Sequence, residues 1–199
     1  FSETLSLKDN ALEITFVGAA REVTGSCHIL RVNGHTVVLD CGMFQGRRSD
    51  SSVKNRALPV PIGEIDAIVL SHAHIDHSGR LPFLVAQGYT KTIWATAATR
   101  DLCAVMLADS AHIQEKDAEF LAKRNKEVLE PLYGMRHAVR TMELMVGIPY
   151  NKPFDVVPGV TGTYIDAGHI LGSAIIRLRV QDVPGTGPAL LGPQGIATL

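Results

Sequence analysis

The sequence predicts a layered α/β fold, on three observations. Apolar residues alternate through the first forty positions, they recur at helical spacing from Thr99 onward, and the two-residue period returns after Pro153. Strands, then helices, then strands again are the pattern of sheets with helices packed on them. A length of 199 residues suffices for one core of ordinary size, so a single domain is expected.

Each element has its own signal. Leu12 to Val17, Cys27 to Val32 and His35 to Leu39 alternate as strands. Asn33-Gly34 joins the last two, and both positions of a type I′ hairpin turn need positive φ, which these residues tolerate. Gln45 to Pro61 is polar, contains Arg47, Arg48, Lys54 and Arg56, and reads as a long surface loop. Ile65 to Leu70 is a short apolar run suited to a buried strand. Leu81 to Gln87 fits a short helix with Pro82 in its first turn and Gly88 as its stop. Thr92 to Ala95 is the next strand. Leu102, Val105, Met106, Ile113, Phe120 and Leu121 then predict a long amphipathic helix from Thr99 to about Asn125. Met135 to Met145 predicts a second helix closed by Gly147-Ile148-Pro149. Phe154 to Val157, Thr163 to Asp166 and Ser173 to Val180 return to strand alternation, with Ile176, Leu178 and Val180 opposite Arg177 and Arg179. The end of the chain, rich in Gly and Pro with neither period, is expected to be irregular.

Composition excludes several classes. Hydrophobic residues make up 46% and charged ones 20%, which is the balance of a globular chain and not of a disordered one. A formal charge of -1 gives no general attraction to nucleic acid, so any polyanion must be held by local groups. No apolar run approaches the ~18 to 20 residues of a membrane-spanning helix, and the N-terminus lacks a charged-then-apolar leader pattern, so a cytoplasmic location without membrane contact is expected. Cys27, Cys41 and Cys103, odd in number and widely spaced, point to reduced thiols.

The chemistry concentrates in Ser71 to Gly79, where His72, His74, Asp76 and His77 follow directly on a buried strand. In extended backbone, residues two apart point the same way, so His72 and His74 reach one ion together. Asp76 and His77 follow where the chain turns toward a helix and would face a second ion. Imidazole and carboxylate are ligands that zinc accepts. His169, just past a strand and flanked by Gly168 and Gly172, is the expected third ligand of the first ion. Asp40 ends a strand, where a carboxylate orients a ligand histidine or caps a turn. His28 and His35 read as structural, and His112 and His137 as surface or packing residues.

At these residues the chain resembles the metallo-β-lactamase superfamily, whose signature is His-x-His-x-Asp-His after a strand. Four further segments resemble its β-CASP ribonuclease group, which includes RNase J type enzymes and the pre-mRNA 3′-end endonuclease. They are GAAREVTGSCHIL at 18–30, LDCGMFQG at 39–46, DSAHIQEKDAEFLAKRN at 109–125 and PFDVVPGVTGTYIDAGHILGSA at 153–174. The resemblance implies an αββα sandwich with two zinc ions at its edge. His72, His74 and His169 would hold the first and Asp76 and His77 the second. Asp40 would support the ligands, and Asp76 would orient the nucleophile in two-metal hydrolysis of RNA. Single-stranded RNA is then the substrate, with Arg47, Arg48, Lys54 and Arg56 as its candidate contacts; self-association into a homo-oligomer stays open.

The departures from that pattern are also informative. Where the family places a bridging aspartate, this chain reads GPALLGPQGIATL, which holds no Asp, and no inserted β-CASP domain follows. Residues 1–185 therefore read as a partial, truncated metallo-β-lactamase domain and 186–199 as a tail outside the family. On this reading the fragment is an impaired catalyst that holds one zinc ion where a complete member holds two. The alternatives are a thioesterase or lactonase of the glyoxalase II kind and a non-catalytic metal-binding fragment.

Overall fold

A computed structural model describes residues 3–7, 12–123, 130–181 and 196–198. Seven strands, β1 Glu3–Leu7, β2 Leu12–Gly18, β3 Cys27–Val32, β4 His35–Leu39, β5 Ile65–Val69, β6 Ile93–Thr96 and β7 Met145–Ile148, form one sheet in chain order. The first four are antiparallel, and β4 to β7 run parallel. A second, antiparallel sheet has the order β11-β10-β9-β8, with β8 Pro153–Val157, β9 Val160–Asp166, β10 Ala174–Val180 and β11 Ile196–Thr198. The helices are α1 Arg48–Arg56, α2 Ile75–Ser78, α3 Leu81–Ala86, α4 Ala97–Lys123 and α5 Met135–Leu144.

Two cores follow from the strand alternation. Leu30, Val37, Leu39, Val69, Phe154, Tyr164, Ile176 and Leu178 pack between the sheets. Ile29, Val38, Ile68 and Ile93, on the opposite face of the large sheet, pack against Leu84, Cys103, Leu107 and Ala138 of the helices. Each such aliphatic side chain removed from water contributes ~1.5 to 3 kcal/mol before entropy is charged. The layers described are thus helix, sheet and sheet. Among the described residues no helix contributes to the core beside the small sheet, so the second α layer of an αββα sandwich is not among them. None of the described helices is long and apolar enough to cross a membrane.

The hairpin turn forms as expected, with Asn33 at φ +51° and Gly34 at +78°. Other elements depart from the sequence reading. The 45–61 loop contains α1, a helix without an apolar stripe. Its C-terminal half is secured by long-range bonds: its own Asn55 binds both backbone groups of Phe44, at 2.8 and 2.9 Å, and the buried Arg80 guanidinium holds the carbonyls of Lys54 and Ala57. No local period announces such a helix. Helix α4 begins two residues earlier than read, because Thr96 caps it. Its buried stripe is Thr99, Cys103, Leu107 and Ala111, while Val105, Ile113 and Phe120 are exposed. The expected end of that helix, at Asn125, lies outside the described residues. Met145, read as the end of the second helix, and Gly147-Ile148, read as its stop, belong instead to strand β7, paired in parallel with β6. Strand β1 was not anticipated. The tail at 186–199, expected to be irregular, carries β11, which pairs with Ile176 to Leu178; the rest of it lies outside the described residues.

A parallel sheet presents its functional side chains beyond the carboxyl ends of its strands. Here Asp40 follows β4, Ser71 and His72 follow β5, and Thr96 ends β6, so these three ends open onto one edge of the molecule.

Candidate metal centre

Three imidazoles meet at that edge from three elements. His72 comes from the end of β5, His74 from the residue before α2, and His169 from the β9–β10 loop. Nδ1 of His74 lies 3.1 Å from Nε2 of His72 and 3.2 Å from Nε2 of His169. The ring centroids form a nearly equilateral triangle, 4.9, 5.1 and 5.0 Å apart. Metal–nitrogen bonds of ~2.0 to 2.1 Å at tetrahedral angles place ligand nitrogens about 3.3 Å apart, so the spacing fits one small divalent ion.

Hydrogen bonding strengthens the fit. The Ser71 hydroxyl donates to Asp40 Oδ2 at 2.8 Å and therefore accepts from His72 Nδ1–H, at 3.0 Å. That leaves His72 Nε2 a bare lone pair facing the cluster. A proton on His74 Nδ1 can serve only one of its two neighbours, whereas a cation satisfies all three nitrogens. Burial, and then the positive charge of His77 and the neighbouring imidazoles, push His72 down to about 4, which keeps the ring neutral as a ligand must be.

Asp40 organises the centre from below. It is 2% exposed, sits at φ +58°, and accepts from the Ser71 backbone N–H at 2.7 Å, from Ser71 Oγ, from Ser26 Oγ at 3.3 Å and from His77 Nδ1 at 2.7 Å. A buried carboxylate needs this many donors to offset its lost hydration. The bond to His77 engages that ring's Nδ1, and its Nε2 lies 3.9 Å from Asp76 Oδ2. Burial alone would lower the His77 pKa, but the hydrogen bond and charge of Asp40 outweigh it and the net shift is upward. Backbone contacts lock the pieces together: Ser26 N–H donates to Asp76 O, Cys41 N–H to His77 O and Met43 N–H to Ile75 O, at 2.8 to 2.9 Å. Gly42 is required here, since a Cβ on it would lie 1.6 Å from the Asp76 carbonyl oxygen.

The structure therefore brings together His72, His74 and His169, and sets Asp76, His77 and Asp40 beside them. It does not gather the four basic residues in the same way. Lys54 is paired with Glu22 at 2.6 Å, and Arg56 donates to the Glu130 carbonyl. Arg47 is exposed at the start of α1. Arg48 and Arg56 line a cavity of about 280 Å³ with Asp117 and Glu130, and none of the clustered histidines borders it. The remaining histidines have other surroundings: His28 meets Phe16 edge-on, His35 lies 3.4 Å from Asp66, His137 Nδ1 accepts from Gly134 N–H and His112 is exposed. All three cysteines are free and buried.

The sequence reading missed Ser71, Ser26 and Ser173, which have no spacing rule, and Thr96, which the helix-capping pattern could have found.

The model of the metallo-β-lactamase superfamily matches residues 20–170. The transcription termination factor FttA of Methanothermobacter thermautotrophicus is 33% identical over 172 residues, 85% of this chain and 25% of that protein. A ribonuclease of Thermus thermophilus is 35% identical over 169 residues, 83% of this chain and 34% of that protein. The chain thus spans about a quarter to a third of the length of these curated relatives. Among solved structures, a metallo-β-lactamase with a HARLDQ motif from Cronobacter sakazakii aligns with a TM-score of 0.51 at 18% identity, over 84% of this chain and 52% of that one. That likeness concerns the fold.

Proposed function

This chain belongs to the metallo-β-lactamase superfamily, and from that premise we propose that it forms the zinc-binding core of a ribonuclease that hydrolyses RNA phosphodiester bonds. The observation that carries the metal reading is the convergence of His72, His74 and His169 nitrogens at 3.1 to 3.2 Å. RNA is favoured over a thioester because the curated relatives include a ribonuclease and a transcription termination factor, and because segments beyond the histidines resemble the β-CASP group.

In this reading His72, His74 and His169 hold the first zinc ion, and Asp76 and His77 are the ligands of a second, weaker one. Bound zinc supplies a Lewis acid for the scissile phosphate and makes coordinated water more acidic. The protein's own contribution is preorganisation. Asp40 and Ser71 fix the tautomers of His77 and His72, so both rings present Nε2. Asp40 is saturated by donors, whereas Asp76, with a side chain 28% exposed, retains oxygens that can accept a proton from the attacking water. This reading gives the second ion two protein ligands from this chain, Asp76 and His77.

The test is incubation of the zinc-loaded chain with end-labelled single-stranded RNA and, separately, with a glutathione thioester. Zinc-dependent RNA cleavage that disappears in His74→Ala supports the proposal. Thioester turnover with intact RNA would transfer the site to the thioesterase–lactonase reading, and zinc binding without turnover of either would leave a metal-binding module.

A further inference from the structure

The third imidazole of the cluster is held by a device that the histidine signature does not contain. His169 belongs to a loop, 167–173, whose internal hydrogen bonds shape a turn without fixing where it lies. Ser173 Oγ accepts from the N–H groups of both His169 and Ile170 at 3.1 Å, and Gly168 N–H donates to Asp166 Oδ1 at 2.9 Å. Its attachment to the large sheet and helices comes from elsewhere. The hydroxyls of Thr96 and Thr99 both donate to the carbonyl of Gly172, at 2.7 and 2.8 Å, across more than seventy residues of chain. Both threonines are buried, Thr99 completely. Gly172 reaches them at φ +83°, and a Cβ there would lie 2.5 Å from the Thr99 nitrogen. The glycine is thus needed for the approach to these threonines as well as for the turn itself.

We propose that Thr96 and Thr99 are positioning residues for metal binding: by clamping the Gly172 carbonyl between the end of β6 and the first turn of α4, they set the place of His169 relative to His72 and His74. The two hydroxyls are not equivalent. Thr96 Oγ1 also accepts from the Thr99 N–H at 3.1 Å and so caps α4 at its N-terminus. Thr99 Oγ1 has the Gly172 carbonyl as its hydrogen-bond partner. Replacing Thr99 with the isosteric valine therefore releases one arm of the clamp, keeps the helix cap, and leaves the carbonyl with its bond from Thr96. Two neighbouring bonds, Ala174 N–H to Ser71 O at 3.0 Å and the Tyr150 hydroxyl to Ser173 O at 2.8 Å, remain in place in that variant and limit the displacement.

The inference rests on the metal reading of the three histidines, so its test reads zinc affinity, by competition with a chromophoric chelator, together with thermal stability in EDTA. Loss of a hydrogen-bond partner of a metal ligand costs ~10 to 100-fold in affinity; Thr99 acts through the Gly172 carbonyl, one step further out, so the low end, about tenfold, is expected for Thr99→Val. Thr99→Ser, which keeps the hydroxyl, should restore binding. In a His169→Ala background, Thr99→Val should produce no additional loss, because the ligand that it positions is gone. A general loosening of the fold would instead weaken zinc equally in both backgrounds, and that result overturns the proposal. So does wild-type affinity in Thr99→Val. If that variant does not fold, Thr99→Ala removes the same hydroxyl and is read by the same criteria. A wild type that binds no zinc would overturn the metal reading and this inference together.

Discussion

Two polar segments flank the large sheet, 45–61 and 71–79, and they differ in what their side chains are doing. In 71–79 the polar atoms point at one another across elements. His72 leans on Ser71, Ser71 on Asp40 and Asp40 on His77, while Nδ1 of His74 faces two further ring nitrogens. In 45–61 the charged groups are dispersed: Lys54 pairs with Glu22, Arg56 closes on a backbone carbonyl and Arg48 borders a separate cavity. Convergence of ring-nitrogen lone pairs without enough protons to satisfy them calls for a cation. Dispersed pairs call for nothing beyond the fold.

The comparison breaks first at His74, whose Nδ1 faces both partner nitrogens. His74→Ala should reduce zinc after dialysis from about one per chain to near none. It should also abolish the zinc-dependent gain in unfolding free energy, which reaches ~4 kcal/mol at a thousandfold excess over the dissociation constant. Metal analysis and denaturant unfolding with and without zinc check this. Equal zinc in the two proteins would dissolve the distinction between the segments.

The next effect concerns pH, in the zinc-free chain. A histidine whose folded pKa is depressed is at no disadvantage above its unfolded pKa and destabilises the fold as pH falls below it. For His72, at about 4 in the fold, the loss begins near pH 6.5 and amounts to roughly 3 kcal/mol by pH 4. His77 has the opposite sign, because its raised pKa supplies stability below 6.5 that is lost as pH rises through the folded value. As a pair they place a stability maximum near pH 6.5. Urea unfolding in EDTA from pH 4 to 8 should show both limbs, and His72→Asn should flatten the acid one. No corresponding dependence is expected from 45–61, which contains no histidine.

The contrast also explains what could be read in advance. Histidines two apart after an apolar run, with Asp and His next in line, report a geometry that extended backbone enforces, so the cluster was legible from spacing alone. Placing His169 in it rested on its position just past a strand and on the flanking Gly168 and Gly172, and the family resemblance pointed the same way. The clamp on that loop was not legible, because Thr96 and Thr99 act on Gly172 across a distance that no local pattern encodes. Helix α1 escaped for a related reason: it has no apolar stripe, and it is held by Asn55 on Phe44 and by Arg80 on its last carbonyls. Strand β7 follows α5 without a linker, so Met145, read by helical rules, looked like the helix end and Gly147-Ile148 like its stop.

Within 45–61 the largest effect should be structural. Asn55→Ala leaves the N–H and C=O of the buried Phe44 without their partners, which costs ~1 to 3 kcal/mol. Zinc affinity should stay at the wild-type value, since Asn55 touches none of the ligands. Unfolding in EDTA, paired with zinc titration, separates the two. A variant that lost both would show that the segment supports the centre as well as α1.

The smallest effect is expected at Lys54, and it decides whether the basic residues of this segment meet RNA. Its ammonium lies 2.6 Å from Glu22 Oε2 and 5.3 Å from the Phe44 ring centroid, with the side chain 49% exposed. An exposed pair of this kind contributes ~0.2 to 1 kcal/mol to stability, so Lys54→Gln should shift unfolding by no more than that. Its charge is already answered by Glu22, so RNA affinity should keep the wild-type salt dependence. Arg47 and Arg48 have no ion pair among the described residues, and a phosphate contact by Arg48 would lower the logarithmic salt slope by ~0.7 when it is changed to Gln. Binding measured across a salt series for the two variants distinguishes them. If Lys54→Gln lowered the slope as Arg48→Gln is expected to, the ion pair with Glu22 would have to open for RNA, and 45–61 would be a binding surface as organised for its ligand as 71–79 is for its metal.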